Sequence, residues 1–204
     1  LIFSCALIFG HDLADTIHFP QNFWWAILHD GGSFTFFDHF NLTILYPIIP
    51  WIGVMSLGYC FGNFFESTYE PSKRKKALNT IGISAFVLFF LIRYINIYGD
   101  PQKWVHYETA LKTGMSFMAP NKYPPSLSYL LMTLGLGLIF LANSEHFKGK
   151  IVDFFKTFGR VPFFYYILHL YLIHILALFF AEFSGFGWHS MIFSDWGNPY
   201  QNLT

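Results

Sequence analysis

Long apolar segments alternate with short polar connections along this chain. Four windows, at about residues 44–65, 78–98, 125–143 and 162–183, are strongly apolar and hold very few charged residues. A helix of about 20 such residues crosses the roughly 30 Å hydrocarbon core of a bilayer. The opening run, up to about Ile17, has the pattern expected at the end of a fifth span. The pattern therefore predicts an all-α fold, a polytopic transmembrane helical bundle with about five spans.

The composition is typical of a multi-pass membrane protein, so the lipid bilayer is an expected partner. Hydrophobic residues make up 54% of the chain and charged residues only 12%, whereas soluble domains carry about 25% charged residues. The formal net charge is zero. A chain without excess positive charge has no basic surface for nucleic acid, so no nucleic-acid partner is expected.

Lysine and arginine are distributed unequally between the connections. Eight of them lie in the second and fourth connections: Lys73, Arg74, Lys75, Lys76, Lys148, Lys150, Lys156 and Arg160. The third connection holds three: Lys103, Lys112 and Lys122. Because cytoplasmic loops of membrane proteins are enriched in Lys and Arg, the connections with eight are predicted to face the cytoplasm. The connections around residues 11–43 and 99–124 are then on the outer side.

The start of the chain predicts a fragment. Leu1 opens directly in an apolar run, without the charged segment that precedes the core of a signal peptide. We expect residues 1–204 to form a single transmembrane domain that lacks N-terminal spans and a final C-terminal span.

The last window contains two histidines, His169 and His174, in a setting where an ionisable ring needs a partner or a polar cavity. Tyr165 and Tyr166 precede His169 by about one helical turn and are placed to hold its ring. His169 is therefore a candidate catalytic residue. The alternative for both histidines is a structural hydrogen bond to a helix carbonyl.

Arg93 and Asn96 lie three residues apart near the end of the window at residues 78–98. They would share one helix face, and a buried guanidinium beside an amide could bind an anion or sugar hydroxyls. The alternative is that Arg93 only extends its charge toward the interface.

Two helix starts are further candidates. Asn121, Lys122 and Ser126 lie at the start of the window at residues 125–143, where free N–H groups and the helix dipole would favour an anionic or hydroxyl-rich substrate. Arg160 precedes the window at residues 162–183 and could bind phosphate. The alternative at Asn121–Ser126 is a tight turn beside an exposed lysine.

The first outer connection offers a weaker candidate for metal binding. His11, Asp15 and His18 would line one face if the opening helix ran on through them. Polar residues are also common where a helix leaves the membrane, and no metal is expected.

Three stretches, YPIIPWIGVMSLGYCFG, NKYPPSLSYLLMT and GRVPFFYYILHLYLIH, together resemble bacterial relatives of heparan-alpha-glucosaminide N-acetyltransferase, in a transmembrane acyltransferase superfamily. The resemblance runs from about His11 to the end of the chain. It implies a multi-span enzyme of the bacterial inner membrane that moves an acetyl group from cytoplasmic acetyl-CoA to an amino sugar or other glycan acceptor on the outer side.

The resemblance also has implications for individual residues. It implies that the family's catalytic histidine lies in earlier spans that this chain lacks, so that the fragment alone should be inactive. Asn121, Lys122, Ser126, Arg160 and His169 carry over as members of the substrate and cofactor cavity. The acceptor and the oligomeric state are open, and a homo-oligomer is compatible with the sequence. The alternative function is a polytopic transporter or flippase for a polar or sugar-linked substrate, although the sequence shows no inverted repeat.

Overall fold

The computed structural model describes residues 1–17, 19, 22–36 and 40–191 of the 204-residue chain. This part of the chain is mostly helical and contains one short hairpin. Four helical segments are long and apolar enough to span a bilayer: Ile48–Phe65, Pro71–Ile95, Leu127–Ser144 and Pro162–Phe183. The predicted all-α polytopic bundle is thereby confirmed, with a shorter apolar segment, Ile2–Ala14, in place of a complete fifth span.

Eight helices follow one another in the described residues. Their bounds are α1 Ile2–Gly10, α2 Phe23–Trp25, α3 Ile48–Phe61, α4 Pro71–Ile95, α5 Ala110–Phe117, α6 Leu127–Ser144, α7 Lys150–Arg160 and α8 Pro162–Phe183. A 3₁₀ turn, His11–Ala14, follows α1, a π-helical turn, Ala26–Asp30, continues α2, and a 3₁₀ turn, Gly62–Phe65, continues α3. The chain forms two compact units, Leu1–His146 and a second unit that begins at Phe147.

Local sequence explains where the long helices begin and end. Proline occupies the first turn of α4 and of α8, where its missing N–H leaves no intrahelical hydrogen bond unmade. The α4 helix starts at Pro71, seven residues before the predicted window, because Lys73 to Lys76 form polar first turns of the same helix. It ends at Asn96, whose left-handed backbone (φ 56°) is a common helix terminator.

Helices α4 and α6 are antiparallel and form the centre of the first unit. At one end Arg74 makes a two-pronged ion pair with Glu145, with N–O distances of 2.7 and 2.8 Å. In the middle the backbones approach closely, since a Cβ on Gly82 would lie 2.8 Å from the carbonyl oxygen of Gly135. Small residues permit such contacts between membrane helices.

A small apolar core lies beside this helix pair. Its buried members are Ile8, Phe89, Leu127, Leu130 and Leu131. Helix α1 joins the core by packing on α3, where Ser56 donates a hydrogen bond of 2.9 Å to Ser4. Leu127 and Leu130 belong to the first turn of α6, so the core fixes the helix start that adjoins the polar site.

The connection between α1 and α3 contains an antiparallel hairpin that the hydrophobic pattern did not predict. Strand β1, Gly32–Phe36, pairs with β2, Phe40–Ile44, with Gly32 opposite Ile44 and Phe34 opposite Leu42. Side chains rich in Phe and Thr suit a half-exposed strand pair. The hairpin links the π-helical turn to the start of α3.

In the second unit, an amphipathic helix precedes a long apolar one. Helix α7 places Ile151, Phe154, Phe155 and Phe158 on one face, at the i, i+3, i+4, i+7 spacing of a helical stripe. Lys150, Asp153, Lys156, Thr157 and Arg160 fall on the other face. Helix α8 begins two residues after α7 ends.

Candidate functional site

Arg93, near the end of α4, is the centre of a buried polar network. Only 2% of the residue is exposed. Its Nε, Nη1 and Nη2 donate hydrogen bonds of 2.8 to 3.2 Å to the carbonyl oxygens of Phe117, Gln102, Ser116 and Ala119. Planar guanidinium groups suit such multiple contacts. The side chain therefore holds the connection between α4 and α6 against the end of α4.

Asp100 is the anionic partner of this network, and sequence reasoning did not identify it. Its Oδ2 lies 3.0 Å from Nη1 of Arg93 and accepts hydrogen bonds from the backbone N–H of Asn121 (3.0 Å) and the hydroxyl of Ser126 (3.2 Å). Burial raises the pKa of Asp100, against the opposing effect of Arg93 and of these hydrogen bonds. One carboxylate thus joins three of the predicted site residues.

The backbone N–H groups at the start of α6 are occupied, which corrects the expectation that they are free for a substrate. Leu127 N–H donates to Oδ2 of Asp12 (3.1 Å) and Ser128 N–H donates to the carbonyl of Gly99 (2.8 Å). The hydroxyl of Ser126 caps the helix by accepting from Tyr129 N–H at 3.1 Å. The chain supplies the anion that the helix N-terminus favours, from a residue 115 positions away.

His11 and Asp12 form a buried pair at the end of α1. Nε2 of His11 lies 2.7 Å from Oδ1 of Asp12 and 3.0 Å from the carbonyl oxygen of Pro125. Nδ1 of His11 lies 3.0 Å from the carbonyl oxygen of Ile8. Both ring nitrogens face atoms that only accept hydrogen bonds, so the geometry favours a doubly protonated imidazolium balanced by Asp12. The pair connects α1 to the start of α6.

A second set of buried hydrogen bonds surrounds His29, which is 3% exposed. Its Nε2 donates to the carbonyl oxygen of His11 (2.9 Å), and its Nδ1 lies 2.9 Å from Oδ1 of Asp30. Asp15 is 3.5 Å from Nε2. These residues line a cavity of about 250 Å³, the His29 pocket, whose lining is Asp15, His29, Asp30, Pro101, Gln102, Asn121 and Pro124.

The two remaining predicted residues of the first unit have different surroundings. The side-chain amide of Asn96 is paired with the backbone of Trp104 through hydrogen bonds of 3.0 and 3.2 Å. Lys122 is exposed, with its ammonium 5.0 Å from the centre of the Tyr123 ring. The predictions that Arg93, Asn96, Asn121, Lys122 and Ser126 bind substrate stay predictions.

His169 and Arg160 lie in the second unit. The ring of His169 is stacked on Tyr165, with 5.4 Å between centroids, and also contacts Tyr166 at 5.3 Å. The predicted tyrosine neighbours are thus confirmed. Nδ1 of His169 donates to the carbonyl oxygen of Tyr165 at 3.2 Å. Arg160 is the last residue of α7, two residues before α8, and its role and that of His169 stay predictions.

Comparison with known proteins identifies a relationship for the first half of the chain. Residues 1–99 match the family model described as heparan-alpha-glucosaminide N-acetyltransferase, catalytic. The chain is similar to that family over these residues. No curated protein and no solved structure matches it.

The part that matches heparan-alpha-glucosaminide N-acetyltransferase contains most of the polar groups around His11 and His29. His11, Asp12, Asp15, His29 and Asp30 all fall within residues 1–99. Asp100, Asn121 and Ser126, which complete the network, lie beyond the matched range. The match relates this part of the chain to a membrane acetyltransferase family, and the polar network lies where the connection between α1 and α3 meets the start of α6.

One signal in the sequence could have indicated these groups. The dipeptide His-Asp occurs twice in the first outer connection, as His11-Asp12 and His29-Asp30. The predicted metal site at His11, Asp15 and His18 required a continuous helix. Helix α1 ends at Gly10, and the turn that follows is 3₁₀. His18 lies outside the described residues. In the described part of the chain, no three His, Cys, Asp or Glu residues are arranged to hold a metal ion.

Proposed function

We propose that this chain is part of an acetyltransferase of the bacterial inner membrane, which transfers an acetyl group from acetyl-CoA to an amine-bearing glycan. Acetyl-CoA is used on the cytoplasmic side, and the acceptor is used on the outer side. The observation that carries this proposal is the match of residues 1–99 to heparan-alpha-glucosaminide N-acetyltransferase, catalytic. An amino sugar is the acceptor that the family name suggests.

The distribution of charge supports this division of the two substrates. By the positive-inside rule, the connection that contains Arg160 is cytoplasmic. A basic side chain there suits the phosphates of acetyl-CoA. His169, about two turns into α8, would serve proton transfer to or from the reacting groups.

The outer connections supply the proposed acceptor region. Asn121 and Lys122 belong to the segment that Asp100 ties to Arg93 and Ser126. Arg93 and Asn96 contribute by holding other backbone groups of the same connection, the carbonyls of Phe117 and Trp104, in place. A region fixed by buried hydrogen bonds keeps its shape before substrate arrives, which lowers the cost of binding.

Acetyl transfer across the membrane is the direct test. Inside-out vesicles from cells that express the complete gene present the cytoplasmic face outward. With acetyl-CoA outside and glucosamine inside, we expect free CoA outside and N-acetylated glucosamine inside, and neither from vesicles loaded with glucose. Uptake or release of glucosamine without acetylation would contradict the proposal and favour a transporter.

The orientation has its own test in intact cells. In a variant whose own Cys5 and Cys60 are replaced by serine, Lys122→Cys should react with a membrane-impermeant maleimide and Lys73→Cys should not. Labelling of Lys73→Cys alone would reverse the assignment of donor and acceptor sides.

A further inference from the structure

The His29 pocket contains three ionisable groups, Asp15, His29 and Asp30. A carbonyl oxygen only accepts hydrogen bonds, so Nε2 of His29 must donate to the carbonyl of His11. The contact of 2.9 Å between Nδ1 and Asp30 then requires a second proton, carried by the imidazole or by the carboxyl. The His29–Asp30 pair therefore brings no donor into the pocket that is free for an anion.

Asp15 provides the unsatisfied negative charge. Its side chain is 20% exposed and lies 3.5 Å from Nε2 of His29, beyond good hydrogen-bond geometry. Among the described residues, no group donates a hydrogen bond of normal length to its carboxylate. A half-buried carboxylate without donors is unfavourable, and a ligand that brings N–H donors and positive charge would relieve this.

Asn121 and Gln102 add neutral acceptors to the lining of the same pocket. Both hydrogens of the Asn121 amide donate to carbonyl oxygens, those of Tyr123 (3.2 Å) and Pro124 (3.1 Å). Its amide oxygen accepts no hydrogen bond within the described part of the chain. Gln102 lines the same cavity and is exposed. An ammonium group has three N–H donors, which is the number that one carboxylate and two amide oxygens can accept.

We infer that the His29 pocket is a binding site for the protonated primary amine of the acceptor, with Asp15 as its counter-ion. This inference rests on the proposed function, since it names the site where the acceptor binds. The volume of about 250 Å³ suits a group of monosaccharide size, at the small end of ligand pockets. Neutral sugars would leave Asp15 without its cation, so the pocket discriminates by charge.

The titration of Asp15 supports the same role. Burial, together with the negative charges of Asp12 and Asp30, raises the pKa of Asp15 to about 6, while His29 and His11 oppose the shift. The carboxylate is therefore ionised at pH 7.5 and mostly neutral at pH 5. Binding of an amine should weaken over this interval.

Calorimetric titration of the purified full-length protein with glucosamine, glucose and N-acetylglucosamine tests the inference. We expect binding of glucosamine only, weakened about tenfold or more by Asp15→Asn and also by lowering the pH from 7.5 to 5. Asp153→Asn, at an exposed carboxylate of α7, is the matched control and should bind as the wild type does. Asp15→Asn should unfold at no lower temperature than the wild type, which excludes misfolding as the cause.

Three results would overturn the inference and still leave the proposed function intact. One is unchanged glucosamine affinity in Asp15→Asn, and another is acetyl transfer by Asp15→Asn with the wild-type KM for the amine. Binding of Mg²⁺ or Ca²⁺ that displaces glucosamine would also overturn it, because the pocket would then be a cation site. Loss of acetyl transfer in the wild type, with glucosamine binding retained, would instead contradict the proposed function alone.

Discussion

Replacing Arg93 by methionine should unfold the first unit at a much lower temperature. The guanidinium is buried, makes an ion pair of 3.0 Å with Asp100 and donates to four backbone carbonyls. Methionine has similar length and no donors, so Arg93→Met leaves a buried carboxylate and these carbonyls without their partner.

The size of the effect follows from the pair that is broken. Removing one partner of a buried ion pair costs about 3–5 kcal/mol, because the other charge stays buried and uncompensated. In a chain of this length, 1 kcal/mol corresponds to roughly 2–4 °C in melting temperature. We therefore expect a decrease of about 6–20 °C. Arg93→Met combined with Asp100→Asn should lose at least about 1 kcal/mol less than the sum of the single variants, since the double variant leaves no unpaired charge.

The assay can use the cysteines of the chain. Cys5 and Cys60 are free and half-buried in α1 and α3, so a thiol-reactive fluorophore reports their exposure on heating in detergent. Lys112→Met, at an exposed lysine of α5, controls for the loss of a positive charge in the same region.

Two outcomes would refute this interpretation of Arg93. A melting temperature of Arg93→Met within about 2 °C of the wild type would show that the network contributes little to stability. Strict additivity of the two substitutions would show that Arg93 and Asp100 do not stabilise each other. A variant of normal stability with a raised KM for the acceptor would instead favour direct contact between Arg93 and substrate.

Three further predictions concern pH, packing and catalysis. The pKa of Asp15 is raised from 3.8 to about 6 in the folded protein, so its contribution to stability is fully present below about pH 4 and is lost as the pH rises through 6. The free energy of unfolding of the wild type should therefore fall by about 2–3 kcal/mol between pH 4 and pH 7.5 because of Asp15. Asp15→Asn should lack this decrease, measured as the difference between the unfolding free energies of variant and wild type at the two pH values. Gly82→Ala should destabilise by about 1–3 kcal/mol, because its Cβ would lie 2.8 Å from the backbone of α6. Gly137→Ala meets no atom within 4 Å and should leave the melting temperature unchanged or slightly higher. In the full-length enzyme at matched amounts of folded protein, His169→Ala should lower turnover about 100-fold, whereas His174→Ala should mainly lower expression. Equal and near-normal rates for the two variants would make His169 a packing residue.

The spans could be read from the sequence because crossing a bilayer depends on local properties. A run of apolar residues of sufficient length must be helical in hydrocarbon, since the backbone N–H and C=O groups have no other partners there. Prolines and charged residues then mark the helix ends, and α8 occupies the residues that the pattern indicated. The contacts of His169 with Tyr165 and Tyr166 were equally accessible, because neighbours three and four residues apart meet on any helix.

The candidate site depended on tertiary structure. Arg93, Asn121 and Ser126 were identified separately as polar residues near helix ends, but the carboxylate that joins them, Asp100, had no local signal beyond its presence in a connection. The idea of a free helix N-terminus at α6 was wrong because Asp12, far away in the chain, reaches it.

The His29 pocket also could not be predicted from the sequence. Each His-Asp dipeptide is visible in the sequence, yet neighbouring residues in a chain do not by themselves define a cavity. The pocket exists because the chain after α1 folds back beside the connection between α4 and α6. This fold brings Asp15 and Asn121 into the lining of one cavity. Hydrophobic length and helix periodicity act over a few residues and determined the spans. The partners of buried charges were decided by packing between distant segments, because a charge removed from water must be paired with whatever group the fold brings within a few ångströms.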